Sequence, residues 1–453
     1  MPRIPVTALA LALALALGAG SPAWARRPAP APSFFPFEVH QRKLPNGLVA
    51  IVIPMRGSGL ASVRTAVRTG SRDEYEPGRS GFAHFFEHMM FRGTKKYSAD
   101  ERERVVTRMG ASNNAFTSND MTVYEFDIAA EDLEKVMDLE SDRFMNLAYS
   151  AEQFQTEAGA VYGEYRKNRA NPFFQLFEKI SETAFVKHTY GHTTMGYERD
   201  IAAMPKMLDY SKQFFSRYYR PENAVLLVIG DVEPDATLAM IEKYWAPWKR
   251  GYTSPKVPAE PAQNAERQVQ IAYEGRALPI LSLAYKAGAM APRDVGWVSQ
   301  LVLSELAFGE TSEVYKALVL DQRLVQRLFA SPANDRDPGL FTVTAVVNDE
   351  TKLGEVQAAL EAAIAKAKAE LASPERVAAV AANLRNSFLL KLDTPSSVAD
   401  QLAPIAAVTG GIAAIEEIYT TLAKVTPQTV QTAARRLFDT RRRTVATLRE
   451  KKS

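Results

Sequence analysis

The sequence contains no cysteine. That excludes a disulfide framework, thiol nucleophiles and thiolate metal sites, and leaves His, Asp and Glu as the metal ligands available. Histidine is scarce as well: there are five in 453 residues, so a pair within one helical turn, His84 and His88, stands out. An excess of one charge is also missing, with 55 Lys and Arg against 52 Asp and Glu. This balance gives no reason to expect nucleic acid or an anionic membrane as a partner. Long apolar runs are confined to the N-terminus, where residues 6–18 are apolar apart from Thr7 but too short to span a bilayer comfortably. Arg3 before that run and Ala23, Trp24 and Ala25 after it read as a secretory signal peptide over residues 1–25. The expected location is the periplasm of a Gram-negative bacterium, with no stable membrane anchor. Residues 26–36, rich in Pro and Ala, read as a disordered leader.

What the chain does have is concentrated in residues 81–91. Phe82, Phe85, Phe86, Met89 and Met90 recur at the spacing of one helical face. His84 and His88 project together from the opposite face, with Glu87 beside them. Ser80 is expected to cap the helix and Gly93 to end it. The pattern His-x-x-Glu-His is an inverzincin motif. Two imidazoles one turn apart can hold zinc, which prefers about four ligands and in a catalytic site keeps one position for water. The metal lowers the pKa of that water to about 7, and the adjacent Glu87 can take its proton. A third protein ligand must then come from elsewhere in the chain.

The remainder reads as α+β. Residues 37–54 form a hairpin around Pro45, Asn46 and Gly47, and 61–68 a further strand. Residues 69–79 read as a polar loop. Helices are expected at 100–109, 130–147, 151–168, 207–218 and 234–245, and strands at 113–117, 121–127 and 224–229. The polar stretch 249–268, with Pro255, Pro258 and Pro261, is the strongest domain boundary. Beyond it, strands at 269–273, 280–287, 340–347 and 443–448 and helices at 297–307, 352–371, 374–392 and 427–438 repeat the style of the first part. The expectation is two similar domains, 37–248 and 269–453, each a mostly antiparallel sheet covered by helices. Only the first carries the histidine motif.

The third ligand is expected on the helix over 151–168, where Glu157 and Glu164 stack on one face, two turns apart. Two carboxylates so placed repel unless a cation or a donor sits among them. The motif and its surroundings resemble the pitrilysin/insulinase family of zinc peptidases, in its mitochondrial-processing-peptidase-like branch. The resemblance rests on Gly70, Ser71, Arg72, Asp73 and Glu74 before the motif and Phe91, Arg92, Gly93 and Thr94 after it. It continues through Asn114-Ala115-x-Thr117, Thr122-x-Tyr124, Tyr190-Gly191-His192 and Arg220-Pro221-x-Asn223, and Glu164 lies 76 residues past His88. It implies that His84, His88 and Glu164 bind one zinc ion per chain. It implies that Glu87 is the general base and later the proton donor to the leaving amine. Glu157 would support the catalytic centre from behind its ligands. Asn114 and Ala115 would lie on an edge strand that pairs with an extended peptide. The implied function is a zinc endopeptidase acting on oligopeptides or unfolded polypeptides, with this chain as half of a clamshell.

Many members of that family carry an Arg and a Tyr, seven apart, in the C-terminal half. At the matching positions this chain has Val319 and Gln326, with Tyr315 and Arg323 nearby at the wrong spacing. The resemblance therefore implies a second family subunit that supplies the missing pair, or a homodimer. Two alternative readings of the chain on the same fold are a non-catalytic structural or assembly subunit and a peptide-binding module that holds metal without turnover. The presence of His84, Glu87, His88 and Glu164 together weighs against the first. Among the other histidines, His40 reads as an ordinary strand residue, and His188 and His192 flank a structural turn at Tyr190 and Gly191.

Overall fold

The structure is a computed structural model that describes residues 33–451, so the signal peptide expected over 1–25 lies outside the described residues, as does most of the leader. The described end of the leader belongs to the fold, contrary to expectation: Phe35 is buried, and its backbone N–H donates to Glu416 at 3.4 Å. Among the described residues no single helix is long and apolar enough to cross a membrane.

The first half builds a six-stranded sheet in the order β1-β2-β6-β3-β5-β4. Its strands are β1 (His40–Lys43), β2 (Val49–Pro54), β3 (Leu60–Val67), β4 (Ser112–Thr117), β5 (Thr122–Ala129) and β6 (Ala224–Gly230). The helices are α1 (Phe82–Met89) and α2 (Ala99–Met109) between β3 and β4. After β5 come α3 (Leu133–Asn146), α4 (Ala151–Asn168), α5 (Pro172–Ala184), α6 (Glu198–Ala203) and α7 (Leu208–Tyr218), and α8 (Pro234–Trp245) follows β6. The second half builds a five-stranded sheet, β7-β11-β8-β10-β9, from β7 (Arg267–Tyr273), β8 (Ile280–Lys286), β9 (Val325–Ser331), β10 (Leu340–Val347) and β11 (Arg443–Glu450). Between β8 and β9 lie α9 (Val295–Phe308) and the single turn α10 (Glu313–Tyr315). Between β10 and β11 lie α11 (Leu353–Ala369), α12 (Pro374–Leu389), α13 (Pro395–Thr409), α14 (Ala413–Leu422) and α15 (Pro427–Leu437).

The two sheets have one topology. Each contains a single parallel pair, β2 with β6 and β7 with β11, and the remaining pairs are antiparallel. In strand order and connection, β2-β6-β3-β5-β4 matches β7-β11-β8-β10-β9, with β1 as an addition. The match makes α9 the counterpart of α1, α12 that of α4, and α13 that of α5. Sequence reading missed β9, α5, α6, α10, α13 and α14.

Two of these missed helices join the halves. β6 is buried along its whole length, so both faces of the first sheet need cover. One face packs on the helices of its own half, and α13 from the second half lies across β3 and β6 on the other. In exchange, α5 lies across β7 and β11, where Leu176 and Ile180 pack with Ile271, Ile280 and Leu448. The two helices are held alike. Asn171 and Thr394 cap them, each followed by a Pro at the first helical position. An arginine of the covered half binds the orphan carbonyls at each C-terminus: Arg68 Nε to Ala407 O at 2.7 Å, and Arg267 Nη1 to Ala184 O at 2.7 Å. Arg64 of β3, fully buried, is paired with Asp127 at 3.1 Å and with Asp400 of α13 at 2.9 Å. Removing either carboxylate would leave part of a buried charge uncompensated.

A polar seam completes the junction. Arg72 Nε and His188 Nε2 both meet Asp337, at 2.7 and 3.0 Å. Tyr190 donates to Asp120 at 2.8 Å, and Arg336 N donates to the same carboxylate at 2.9 Å. The stretch 249–268 runs between α8 and β7 but is not a free tether. Its Glu260 accepts the backbone N–H groups of Val186, Lys187 and His188 at 2.9–3.0 Å. From Phe35 onward the chain is one compact unit.

The seam makes stability depend on pH. Burial pushes the Asp335 carboxyl up to about 6, Asp120 adds to the rise, and a hydrogen bond from Asn119 opposes it. The unfolded chain ionises this group near 3.8. The folded state therefore holds the extra proton, and its stability falls as pH rises between the two values. Asp335→Asn removes that loss. In thermal melts the variant should exceed the wild type at about pH 7.5, with the gap closing towards about pH 4. A gap independent of pH would contradict this assignment.

Candidate metal centre

Helix α1 presents the motif from a fixed position. Phe82, Phe85, Phe86 and Met89 are fully buried, as their spacing implies. The cap differs from expectation. Ser80 is drawn away, its hydroxyl donating to Asp200 at 2.6 Å. The cap is Glu74, whose two carboxylate oxygens accept from Gly81 N at 2.7 Å and Ala83 N at 2.6 Å. The segment 69–79 is thus not a solvated loop: it turns through a 3₁₀ segment, Ser71–Asp73, and buries Asp73 and Glu74. Burial pushes the Glu74 carboxyl up, and the two N–H donors oppose the rise. Gly81 has φ +94°, and a Cβ there would meet Met195 O at 2.6 Å, so only glycine fits. The helix ends at Met89, before Gly93. Tyr124 of β5 braces it, donating to Phe86 O at 3.1 Å.

Helix α4 brings the third donor. Ser150 and Gln153 form a capping box at its start. Phe154 meets Phe85 edge-on at 5.1 Å, which joins α4 to α1. One ligand atom from each of His84, His88 and Glu164 lies within 4.8 Å of the others. Glu164 approaches His84 Nε2 at 3.8 Å and His88 Nε2 at 3.2 Å. His88 Nδ1 meets Glu157 at 2.9 Å. Glu157 is almost fully buried and is held in turn by Arg92. Glu87 accepts from Thr117 Oγ1 at 2.5 Å. A cleft of about 380 Å³ is lined by Glu87, His88, Phe91, Asn114, Ala115 and Glu157, among others. β4, which carries Asn114 and Ala115, is one of the two edge strands of its sheet. Among the described residues no other group of three His, Asp or Glu converges in this way. His188 and His192 stay with the seam and its turn.

The electrostatics suit a cation. Burial, reinforced by the neighbouring His88, lowers His84 to about 4, so its ring is neutral and free to ligate. Burial works against charge on His88 too, but hydrogen bonds to Glu157 and Glu164 outweigh it and lift the ring to about 9. A pair of carboxylates that stabilises a proton here also stabilises a divalent ion. The hydrogen bond from His88 holds Glu164 below the usual carboxylate range. Burial raises Glu87, against the hydrogen bond from Thr117. Two nitrogens and one oxygen, with Glu157 fixing the tautomer of His88, match the donor set and outer support of a catalytic zinc site.

Arg92 and Thr117 escaped the sequence reading as site residues, although both stand in segments that carry the resemblance. Across the pseudo-repeat, α9 takes the place of α1 without a histidine. Val319 and Tyr315 pack on the second core, and Gln326 lies exposed on β9. Glu157→Gln should weaken zinc binding about 10- to 100-fold, the usual range for loss of such a partner. Competition with a chromophoric chelator measures this, and an unchanged affinity would remove Glu157 from the site.

Comparison with known proteins agrees with this geometry. Residues 55–198 match the insulinase family (peptidase family M16), and residues 208–384 match the M16 inactive domain. The chain is 30% identical to the zinc protease PqqE of Helicobacter pylori over 367 residues, 80% of this chain and 81% of that one. It is 28% identical to the mitochondrial-processing peptidase subunit beta of Caenorhabditis elegans over 282 residues, 61% of this chain and 59% of that one. The crystal structure of a protease from Helicobacter pylori superposes with a TM-score of 0.84 at 26% identity, over 91% of this chain and 99% of that one. With the duplicated α+β fold, the motif on α1 and these relatives together, the chain belongs to the insulinase family, peptidase family M16.

Proposed function

We propose that this chain is a zinc-dependent endopeptidase that cleaves oligopeptides or unfolded polypeptides. The observation that carries the reading is the convergence of His84, His88 and Glu164 beside Glu87 and an open edge strand. Bound there, zinc would supply Lewis acidity, polarising the scissile carbonyl and making a water acidic enough to lose a proton near neutral pH. His84, His88 and Glu164 would hold the ion, and Glu157, fixed by Arg92, would keep Nε2 of His88 turned towards Glu164. Glu87 accepts the proton of the attacking water and passes it to the nitrogen of the leaving amine. Its burial raises its affinity for that proton and so suits it to take the proton from the water. The backbone of β4 at Asn114 and Ala115 would pair with the peptide, which favours extended substrates over folded ones.

Val319 and Gln326 offer no Arg/Tyr pair, and this supports a second subunit, either a family partner or a second copy, that completes the site. The apolar run and A-x-A site within residues 1–25 support export to the periplasm. The test uses the mature chain, purified with zinc and incubated with unstructured peptides, and follows the products by mass spectrometry. Internal cleavage should appear, in the chain alone if a second copy completes the site or on adding the family partner if it does not, and should fall at least about 1,000-fold in Glu87→Gln, with zinc retained. Cleavage that persists in this variant would refute the assignment of the base.

A further inference from the structure

Glu87 stands on a rigid helix, but its carboxylate lies at the end of a flexible side chain. One contact fixes it, the 2.5 Å hydrogen bond from Thr117 Oγ1 to Oε2. Thr117 is the last residue of β4, the strand whose Asn114 and Ala115 line the cleft. Side chains alternate along a strand, so Ala115 and Thr117 share one face while Asn114 and Phe116 take the other. The backbone at this point is anchored: Thr117 pairs with Thr122 of β5, and Ser118 N donates to Met121 O at 2.8 Å. The position of the hydroxyl is therefore set by the sheet.

We propose that Thr117 is a positioning residue for the general base, tying the aim of Glu87 to the strand on which the peptide is read. The inference rests on the peptidase reading above. Thr117 holds Oε2 and leaves Oε1 to take the proton of the attacking water. The bond to Oε2 persists while Oε1 carries that proton and passes it to the leaving nitrogen. A neutral hydroxyl suits this role, since it adds no charge and does not compete for the proton. The arrangement also fixes the distance from the base to the backbone register of β4 within one element, so a peptide paired in register on β4 presents its scissile bond to a base already aimed.

The experiment compares Thr117→Val, which keeps the shape and removes the donor, with Thr117→Ser, which keeps the donor. Both are made in the full chain, loaded with zinc and assayed on one unstructured peptide. Thr117→Val should lower kcat roughly 10- to 100-fold at unchanged KM and zinc content. Thr117→Ser should return kcat to within about threefold of wild type. In a Glu87→Gln background, Thr117→Val should cost nothing further, because the base it aims is already gone. A wild-type kcat in Thr117→Val, a rise in KM alone, or a further loss in the Glu87→Gln background overturns the proposal. Loss of zinc in both the Val and Ser variants overturns it in favour of a purely structural role. A zinc-loaded wild-type chain that shows no Glu87-dependent hydrolysis, either alone or with the family subunit that would complete its site, overturns the peptidase reading, and this inference with it.

Discussion

The meeting of a carboxylate from α4 with two imidazoles from α1 is the constraint on which the rest of the structure depends. Glu164, His84 and His88 come within 4.8 Å of one another although 76 residues of chain separate His88 from Glu164. Alignment to that tolerance requires each helix to be fixed independently. Glu74 and Tyr124 fix α1 by its own backbone groups, and the Phe85–Phe154 contact sets the distance to α4. Glu157 and Arg92 then orient the second imidazole. Burial serves both purposes: it packs the apolar stripe of α1, and it keeps His84 neutral and able to ligate.

The exchange of α5 and α13 extends this rigidity to the whole chain. Each sheet has a face that its own half leaves open, and each half lends a helix to cover the face of the other. The arginine caps on both helices make the exchange specific, because Arg68 and Arg267 satisfy carbonyls that would otherwise be orphaned. The half without metal ligands is therefore a structural partner of the half that has them: it supplies α13 and much of the seam.

Much of this was legible in the sequence, and what was missed has physical causes. α4 and α8 follow the expected spans 151–168 and 234–245, because their apolar residues face a local core and their caps and Pro signals are explicit. α5 and α13 were missed although Asn171-Pro172 and Thr394-Pro395 are readable starts, since the surface each covers lies in the other half. β9 mixes Gln326 and Arg327 with apolar residues, which hides its alternation. Asp73 and Glu74 looked solvated because charge usually marks the surface, yet they are buried by helix-end N–H groups and the seam. The ligand triad was visible through its spacing and the family resemblance. Arg92 and Thr117 gained their roles only from neighbours 65 and 30 residues away.

The most direct test of the central claim is a crystal structure of the zinc-loaded chain with anomalous data collected at the zinc edge. The account predicts one anomalous peak per chain, bonded to His84 Nε2, His88 Nε2 and a Glu164 oxygen at about 2.0–2.2 Å. Glu157 should remain on Nδ1 of His88. A zinc ion bound elsewhere, or no ion between α1 and α4 at saturating zinc, would contradict it.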